Sequence, residues 1–387
     1  MASLLVADIG GTHSRFAVFE AQDAAKDGQA LHLRSERVLR SRDFANAGEA
    51  VASLFATDTR SGCESAPLLT QDALPQNAVF AVAGAVQGDF CRLPNAPWNI
   101  DANEVRAALG NTKPLLINDF VAQAYACLMP ELVDMVPLLP GSASRTCRAG
   151  LSGPSEQSSL EDESISYGVV GAGTGFGTAQ LLCAPLCLPG HPPLRTALRP
   201  SPHTPQPAPP HWDAKANTEQ RLAKAKVLPG EGGHMEFPFI GQEEFAFARF
   251  AADFAGTDRL IGDTVVTGSG LAAIVSYVTG RRVTPVEASV EAATNEECLA
   301  LYAKLYARAC RNFVLSTLCL NGLFIGGGMA LRVPVLTRPE FAEEFLAGAH
   351  AELLAEVPVF HMQKPQAGLW GAAIYGLALA AREKFGK

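Results

Sequence analysis

The chain has 387 residues, of which 48% are hydrophobic and 18% are charged, and its formal net charge at pH 7 is −8. This length and hydrophobicity allow a large core, arranged as two or three domains or as two lobes of one fold, and they exclude global disorder. The acidic balance argues against general nucleic-acid binding, because the phosphates of nucleic acids are matched by lysine and arginine.

Short apolar runs that alternate with helical stretches predict a mixed α/β fold. In chain order, the predicted strands cover residues 4–7, 15–19, 79–83, 114–117, 167–170, 178–182 and 322–325. The predicted helices cover residues 120–128, 296–320 and 371–384.

Two segments lack the apolar periodicity of a folded core. Residues 141–166 are rich in serine, glycine and acids, and residues 184–226 carry ten prolines among their first 27 positions. Proline fixes φ and removes a backbone donor, which is incompatible with a helix interior or a central strand. We therefore expect both segments to be inserted loops, the second of them partly polyproline-like.

The cysteines and the N-terminus indicate a cytoplasmic protein. None of the nine cysteines forms a C-x-x-C pair, and the closest two, Cys183 and Cys187, lack partners at zinc-site spacing. Asp8 interrupts the apolar N-terminus too early for a signal peptide, and no apolar run approaches the roughly 18 residues of a membrane span. We expect reduced thiols and no membrane association.

Two glycine-rich turns each lie between two predicted strands, at residues 8–12 and 171–177. Both therefore predict hairpin tips, whereas a P-loop or a dinucleotide fingerprint requires a helix after the glycines. The second turn also departs from the G-x-G-x-x-G register at Phe176, and no Gly-Lys-Ser/Thr sequence is present at either turn.

Glycines let backbone N–H groups approach an anion, and a threonine hydroxyl adds a donor. Asp8 could hold the Mg²⁺ that accompanies ATP, through water. A tight hairpin without a ligand is the alternative for either turn alone. The pair, about 160 residues apart, favours a polyphosphate held from both sides and a duplicated, two-lobed architecture.

Seven motifs follow one another along almost the whole chain, at residues 8–12, 117–120, 171–177, 228–234, 266–271, 324–328 and 368–372. In this order they resemble the bacterial-type glucokinases of the sugar kinase, chaperone and actin superfamily. The resemblance implies an α/β, two-lobed actin-like ATPase (ribonuclease H-like) fold with a ligand cleft between the lobes, and a homodimer. The implied small lobe is 1–129 with 366–387, and the large lobe is 130–365, with loops inserted at 141–166 and 184–226.

Asn118 and Asp119 follow a predicted buried strand, and the residues alone leave two interpretations open. They are either a catalytic carboxylate with a neighbouring amide or the N-cap of the helix at 120–128. The resemblance implies the first, with Asp119 as the general base that takes the proton from the 6-hydroxyl of glucose and Asn118 as a sugar contact.

Glu231 and His234 flank two glycines, and a carboxylate with an imidazole suits the neighbouring hydroxyls of a sugar, a metal pair or a structural histidine. The resemblance implies sugar binding and no zinc, because the cysteine-rich motif that accompanies zinc in related sugar kinases is missing. It also implies sugar contacts from Asn95 and from Asp263, which stands where the family pattern has glutamate.

The resemblance further implies that ATP binds with Mg²⁺, and that Asp8 holds the metal through water. The implied phosphate and adenosine contacts are Ala7, Asp8, Ile9, Gly10, Gly11, Thr12, Gly173, Thr174, Gly175, Thr267, Gly268, Gly326, Gly327 and Gly328.

The sequence thus predicts ATP-dependent phosphorylation of glucose to glucose 6-phosphate. One alternative is a kinase for N-acetylmannosamine or N-acetylglucosamine. Another is a non-enzymatic sugar sensor of the same fold, but such regulators carry a DNA-binding segment before the first hairpin, where this chain has three residues. A chaperone-like or actin-like ATPase would lack the candidate sugar residues.

Overall fold

The computed structural model describes residues 3–21, 31–57, 66–93, 96–141, 165–184, 186 and 214–385, with the backbone alone at 214–217. Asn95, most of the predicted loop at 141–166 and the proline-rich part of the segment at 184–226 lie outside the described residues.

The described residues contain fourteen strands. They are β1 (Ser3–Ile9), β2 (His13–Ala21), β3 (Leu31–Arg40), β4 (Asn77–Val82), β5 (Val86–Gln87), β6 (Phe90–Cys91), β7 (Ile100–Asp101), β8 (Leu115–Asn118), β9 (Met135–Leu139), β10 (Ile165–Ala172), β11 (Phe176–Cys183), β12 (Lys226–Gly230), β13 (Leu323–Gly326) and β14 (Val359–Met362).

The same residues contain thirteen α-helices. They are α1 (Ala47–Ala52), α2 (Ala102–Ala108), α3 (Asp119–Ala126), α4 (Ala214–Lys224), α5 (Gly241–Ala255), α6 (Gly262–Val265), α7 (Gly268–Thr279), α8 (Pro285–Ala292), α9 (Glu296–Thr317), α10 (Gly328–Arg332), α11 (Pro339–Phe345), α12 (Ala351–Leu354) and α13 (Ala367–Phe385). Short 3₁₀ turns cover Ser41–Asp43, Ser53–Phe55, Gln71–Ala73, Pro130–Leu132 and Gly232–His234.

Helix α4 corrects the prediction of a continuous loop at 184–226. The carbonyl groups at its C-terminal end accept hydrogen bonds from the Arg382 guanidinium, at 3.2 Å for Ala223 and 2.6 Å for Ala225. A cation at a helix C-terminus satisfies carbonyls that have no partner inside the helix. The end of the predicted loop is therefore a helix whose last carbonyls are bonded by a side chain distant in sequence.

Two sheets repeat one strand order. The first runs β3-β2-β1-β4-β8, and the second runs β12-β11-β10-β13-β14 with β9 added at its far edge. Each has an antiparallel hairpin beside two parallel strands. A third sheet contains β5, β6 and β7. The predicted α/β class is confirmed, and both glycine turns lie at the tips of the central hairpins.

The chain divides into two compact units. Unit 1 contains residues 1–133, 211–225 and 366–387, and unit 2 contains residues 134–210 and 226–365. Unit 1 thus takes in α4, which the predicted division placed with the large lobe, and the lobe boundaries stay predictions. In unit 1, apolar residues of the first sheet pack against α1 and α2. In unit 2, the second sheet packs against α7, α9 and α11.

Helix α9 is the central helix of unit 2. Asn295 caps its start by accepting from the Cys298 N–H, and Leu318 ends it in the left-handed conformation. Its buried Arg308 forms ion pairs with the buried carboxylates of Glu244 and Glu344. Burial alone would raise the pKa of Glu244, but hydrogen bonds from Arg308 and other donors outweigh it and lower that pKa to about 2.

Candidate active site

The first glycine hairpin, at residues 8–12 of unit 1, is closed by a single backbone bond. The Gly10 N–H donates to the His13 carbonyl oxygen at 3.0 Å. Among the described residues, the next two N–H groups, of Gly11 and Thr12, donate to no acceptor. Two successive unpaired N–H groups at an exposed turn can bind an anion.

Asp8 is the residue before the last in β1, the first strand of this hairpin. It pairs across the ladder with Arg15 on β2. Burial raises the pKa of the Asp8 carboxyl, and the positive charge of Arg15 works against that rise. A Cβ at position 368 would lie 3.1 Å from the Asp8 Oδ2, so Gly368 keeps the carboxylate uncrowded. An anionic oxygen next to free N–H groups fits a magnesium ion that accompanies phosphate.

Ser41, in the short turn that follows β3, is hydrogen-bonded to the first hairpin. Its N–H donates to the Thr12 carbonyl at 3.1 Å, and its hydroxyl contacts the Gly10 carbonyl at 3.1 Å and the Ser14 hydroxyl at 3.0 Å. The indole N–H of Trp98 donates to the Ser41 carbonyl at 2.8 Å. These hydrogen bonds, which all join uncharged groups, hold the tip of the hairpin in place.

Asn118 is the N-cap of α3, as the second interpretation of the sequence proposed. Its Oδ1 accepts from the N–H groups of Phe120 and Val121 at 2.9 and 3.3 Å, and its Nδ2 donates to the Gly84 carbonyl at 3.2 Å. One amide hydrogen is left for a ligand. A sugar contact through that hydrogen stays a prediction.

Asp119 is the first residue of α3, where β8 ends. It is half-buried, and its Oδ1 accepts from the Phe120 N–H at 3.0 Å. Cys91 lies close by: burial and the Asp119 charge raise the pKa of that thiol to about 11, so it stays protonated. Asp119 therefore takes part in capping α3, and its role as the general base stays a prediction.

The second glycine hairpin, at residues 171–177 of unit 2, repeats the local design of the first. The Gly173 N–H closes the turn on the Gly175 carbonyl at 2.9 Å, and among the described residues the N–H groups of Thr174 and Gly175 have no acceptor. The Phe176 N–H donates to the Asp263 Oδ1 at 2.7 Å. Two anion-binding N–H groups are again exposed at the tip.

The other glycine motifs of unit 2 meet this hairpin. The Gly268 N–H donates to the Gly173 carbonyl at 3.4 Å. Gly327 has a φ of +87°, and a Cβ there would lie 2.5 Å from the Ala172 carbonyl oxygen. Thr267 is buried, and its hydroxyl donates to the Asp263 carbonyl. Within unit 2, the predicted phosphate and adenosine segments therefore lie against one another through their backbones, and the Thr267 hydroxyl is already bonded to the Asp263 carbonyl.

Glu231 and His234 stand on the turn that follows β12. Their carboxylate and imidazole lie 3.6 Å apart, and the side chains are 65% and 64% exposed, which leaves both available to a ligand. The Gly232 N–H donates to the Thr178 hydroxyl at 3.2 Å. Gly233 fits against the Asp263 carboxylate and the Phe176 carbonyl, where a Cβ would clash with both.

Asp263 therefore links the second hairpin to the turn of Glu231 and His234. Its Oδ1 accepts from the Phe176 N–H, and a sugar contact through its other oxygen stays a prediction. Sequence reasoning did not find this link, nor the support that Ser41 and Tyr306 give to the hairpins. Tyr306 accepts from the Ala172 N–H at 3.2 Å, and it lies 134 residues away in sequence.

Metal-ligand clusters and membrane-spanning helices are both absent from the described ranges. No group of three or more histidine, cysteine, aspartate or glutamate side chains that could hold a metal occurs there. No helix in those ranges is long and apolar enough to cross a membrane.

Comparisons with known proteins agree with this geometry. A family model described as Glucokinase matches residues 5–185 and 215–379. A curated glucokinase of Rhizobium meliloti is 28% identical, over 96% of this chain and 91% of its own length. A curated glucokinase of Nostoc punctiforme is 25% identical, over 97% of this chain and 98% of its own length.

Two solved structures share the fold. A glucokinase from an Antarctic psychrotroph has a TM-score of 0.62 at 24% identity and covers 97% of this chain and 98% of its own. A Balamuthia mandrillaris glucokinase in complex with glucose has a TM-score of 0.65 at 18% identity and covers 98% and 94%. The predicted two-lobed actin-like ATPase fold class is confirmed.

Proposed function

The chain belongs to the glucokinase family, and we propose that this sugar kinase transfers the terminal phosphoryl group of ATP to the 6-hydroxyl of glucose. The observation that carries this proposal is the repeated pair of unpaired N–H groups, Gly11 with Thr12 and Thr174 with Gly175, at the tips of two equivalent hairpins. Polyphosphate oxygens are the natural acceptors for such groups.

On the donor side, the first hairpin would bind phosphate through Gly11 and Thr12, with Asp8 holding the accompanying Mg²⁺ through water. When bound, the ion supplies neutralisation of the phosphate charge. In unit 2, the second hairpin would bind phosphate, and Gly268 with Gly326–Gly328 would support the adenosine. The close backbone packing of these glycines supports this assignment.

On the acceptor side, Asp119 is proposed as the general base. Phosphoryl transfer asks the protein chiefly for positioning and charge stabilisation, so one carboxylate next to the attacking hydroxyl is sufficient. The start of α3 fixes the Asp119 backbone, and the Asn118 cap holds that start in place. The nearby Cys91 thiol does not compete for the proton, because its pKa is raised.

We propose that Glu231 and His234 bind the ring hydroxyls, with further contacts from Asn118, Asn95 and the second oxygen of Asp263. The exposure and 3.6 Å separation of Glu231 and His234 support the pair. Cys91, Cys298, Cys310 and Cys319 are buried and carry free thiols, which supports a reducing, cytoplasmic location.

A sugar panel tests this function. The full chain with Mg-ATP is given glucose, mannose, fructose, N-acetylmannosamine or N-acetylglucosamine, and ADP release is followed by a coupled assay. We expect kcat/KM for glucose to exceed that for either N-acetylated sugar by at least about tenfold, because an extra acetamide group must be accommodated in the same pocket.

Two results would contradict the proposal: preferred turnover of an N-acetylated sugar, or ADP release that is independent of any sugar. A parallel assay with inorganic polyphosphate in place of ATP tests the donor. We expect no glucose 6-phosphate from polyphosphate.

A further inference from the structure

We propose that Arg40, Arg42 and His13 form a phosphate-binding subsite beside the first glycine hairpin in unit 1. Its ligand is a phosphate oxyanion, carried either by the polyphosphate chain of the phosphoryl donor or by the phosphorylated sugar product. The identity of these two phosphate carriers rests on the proposed function, whereas the subsite itself does not.

A cavity defines the subsite. Its volume is about 470 Å³, and its lining residues are Gly11, Thr12, His13, Arg40 and Arg42. A water molecule takes about 30 Å³ in the liquid, so the cavity has room for a polyatomic anion together with some of its hydration. Two of the lining residues, Gly11 and Thr12, have N–H groups that donate to no acceptor among the described residues.

The backbone holds the two arginines at this cavity. His13, the first residue of β2, pairs with Arg40, the last residue of β3. Between the arginines, the buried Ser41 is bonded to Thr12 and to Gly10. The chain on either side of Ser41 is therefore fixed against the hairpin tip, so both arginines start from anchored positions.

The two arginines have no hydrogen-bonding or ionic partner in the part of the chain that the structure describes. The other arginines of β3 are occupied: Arg34 pairs with Glu20, and Arg37 donates to three backbone carbonyls. Two free guanidinium groups beside one cavity stand out in a chain whose net charge is −8.

Arginine suits phosphate because its planar fork of N–H groups matches two phosphate oxygens at once. An oxyanion in the cavity would accept from the Gly11 and Thr12 N–H groups on one side and from the guanidinium groups on the other. Hydrogen bonds between charged partners contribute about 1.5–3 kcal/mol each, which corresponds to roughly 10- to 100-fold in affinity per arginine.

Binding experiments on the full chain test the subsite. The ligands are tripolyphosphate and glucose 6-phosphate, titrated calorimetrically into the wild type, Arg40→Gln, Arg42→Gln and the double variant. Arg34→Gln is the matched control, since it removes the same charge from the same strand outside the cavity. We expect the double variant to bind at least one ligand at least about tenfold more weakly, and the control to stay within about twofold. The single variants carry the test if the double variant does not fold.

Steady-state kinetics then identify the source of the phosphate. A raised KM for Mg-ATP with unchanged inhibition by glucose 6-phosphate assigns the subsite to the donor, and the reverse pattern assigns it to the product. The subsite is overturned if neither ligand loses more than about twofold in affinity, or if Arg34→Gln causes an equal loss. A wild type that binds tripolyphosphate through these arginines but makes no glucose 6-phosphate would overturn the proposed function and keep the subsite.

Discussion

The two glycine hairpins each expose a pair of backbone N–H groups, but different contacts support them. The first hairpin belongs to unit 1 and the second to unit 2. Neutral partners hold the first, chiefly Ser41, and its surroundings carry the charges of Asp8 and nearby arginines. The second is held by the Asp263 carboxylate and by glycines packed directly on one another. We infer that changes around the second hairpin chiefly lower stability, whereas changes around the first chiefly alter ligand binding.

The largest loss of stability is expected from Gly171→Ala. The new Cβ would lie 2.7 Å from the Gly326 carbonyl oxygen, so two neighbouring strands must separate. Overpacking of this kind costs about 3 kcal/mol. Gly173→Ala is the control, because no atom lies within 4 Å of its Cβ position. Urea unfolding measures both, and equal stabilities for the two variants would contradict the packing account.

Asp263→Ala should come next. It leaves the Phe176 N–H without its acceptor, which costs about 2 kcal/mol. Asp263→Asn keeps an oxygen acceptor and should recover most of the stability. If the asparagine variant were as unstable as the alanine variant, the carboxylate would have another structural role.

Ser41→Ala should have a smaller effect on stability, of about 1 kcal/mol, because it removes neutral hydrogen bonds. Ser53→Ala, which loses only a local bond to Ala50, is the matched control. The comparison predicts that Ser41→Ala raises the KM for Mg-ATP at least about twofold and that Ser53→Ala leaves it unchanged. If both variants had the same KM for Mg-ATP, the bonds of Ser41 would have no effect on ligand binding at the first hairpin.

Asp8→Asn should change stability least, and in the opposite direction. When folding raises the pKa of an acidic side chain, the protein loses stability as the pH rises through the folded-state pKa. The ionised Asp8 is therefore unfavourable for folding at neutral pH. The neutral variant should unfold at a slightly higher temperature, while turnover with Mg-ATP falls by about tenfold or more. A lower melting temperature would show that the carboxylate stabilises the fold.

Local patterns predicted much of this structure. The glycine turns at residues 8–12 and 171–177 identified both hairpins, because glycines between apolar runs are readable without knowledge of the fold. The polar pair Asn118-Asp119 identified the junction of β8 and α3 for the same reason. The catalytic, sugar-binding and metal roles, the lobe boundaries and the homodimer stay predictions.

Contacts between residues far apart in the chain could not be predicted from the sequence. Asp263 lies 87 residues after the Phe176 N–H that it accepts from, and no motif marks such a pair. Helix α4 follows a proline-rich stretch, and the carbonyl of Ala225 at its end accepts from Arg382, which is 157 residues away. Arg40 and Arg42 sit in an ordinary polar stretch of the sequence, and only the position of the first hairpin shows that they line a cavity.

The role of Asp119 is the central claim, and it is tested most directly by Asp119→Ala, with glucose binding and turnover measured on the same preparation. Asp101→Asn, another acid at a helix start in unit 1, is the control. We predict that Asp119→Ala binds glucose within several-fold of the wild type but loses about 10³-fold or more in kcat, since general-base catalysis contributes about 10²–10⁴. An unchanged kcat would contradict the account.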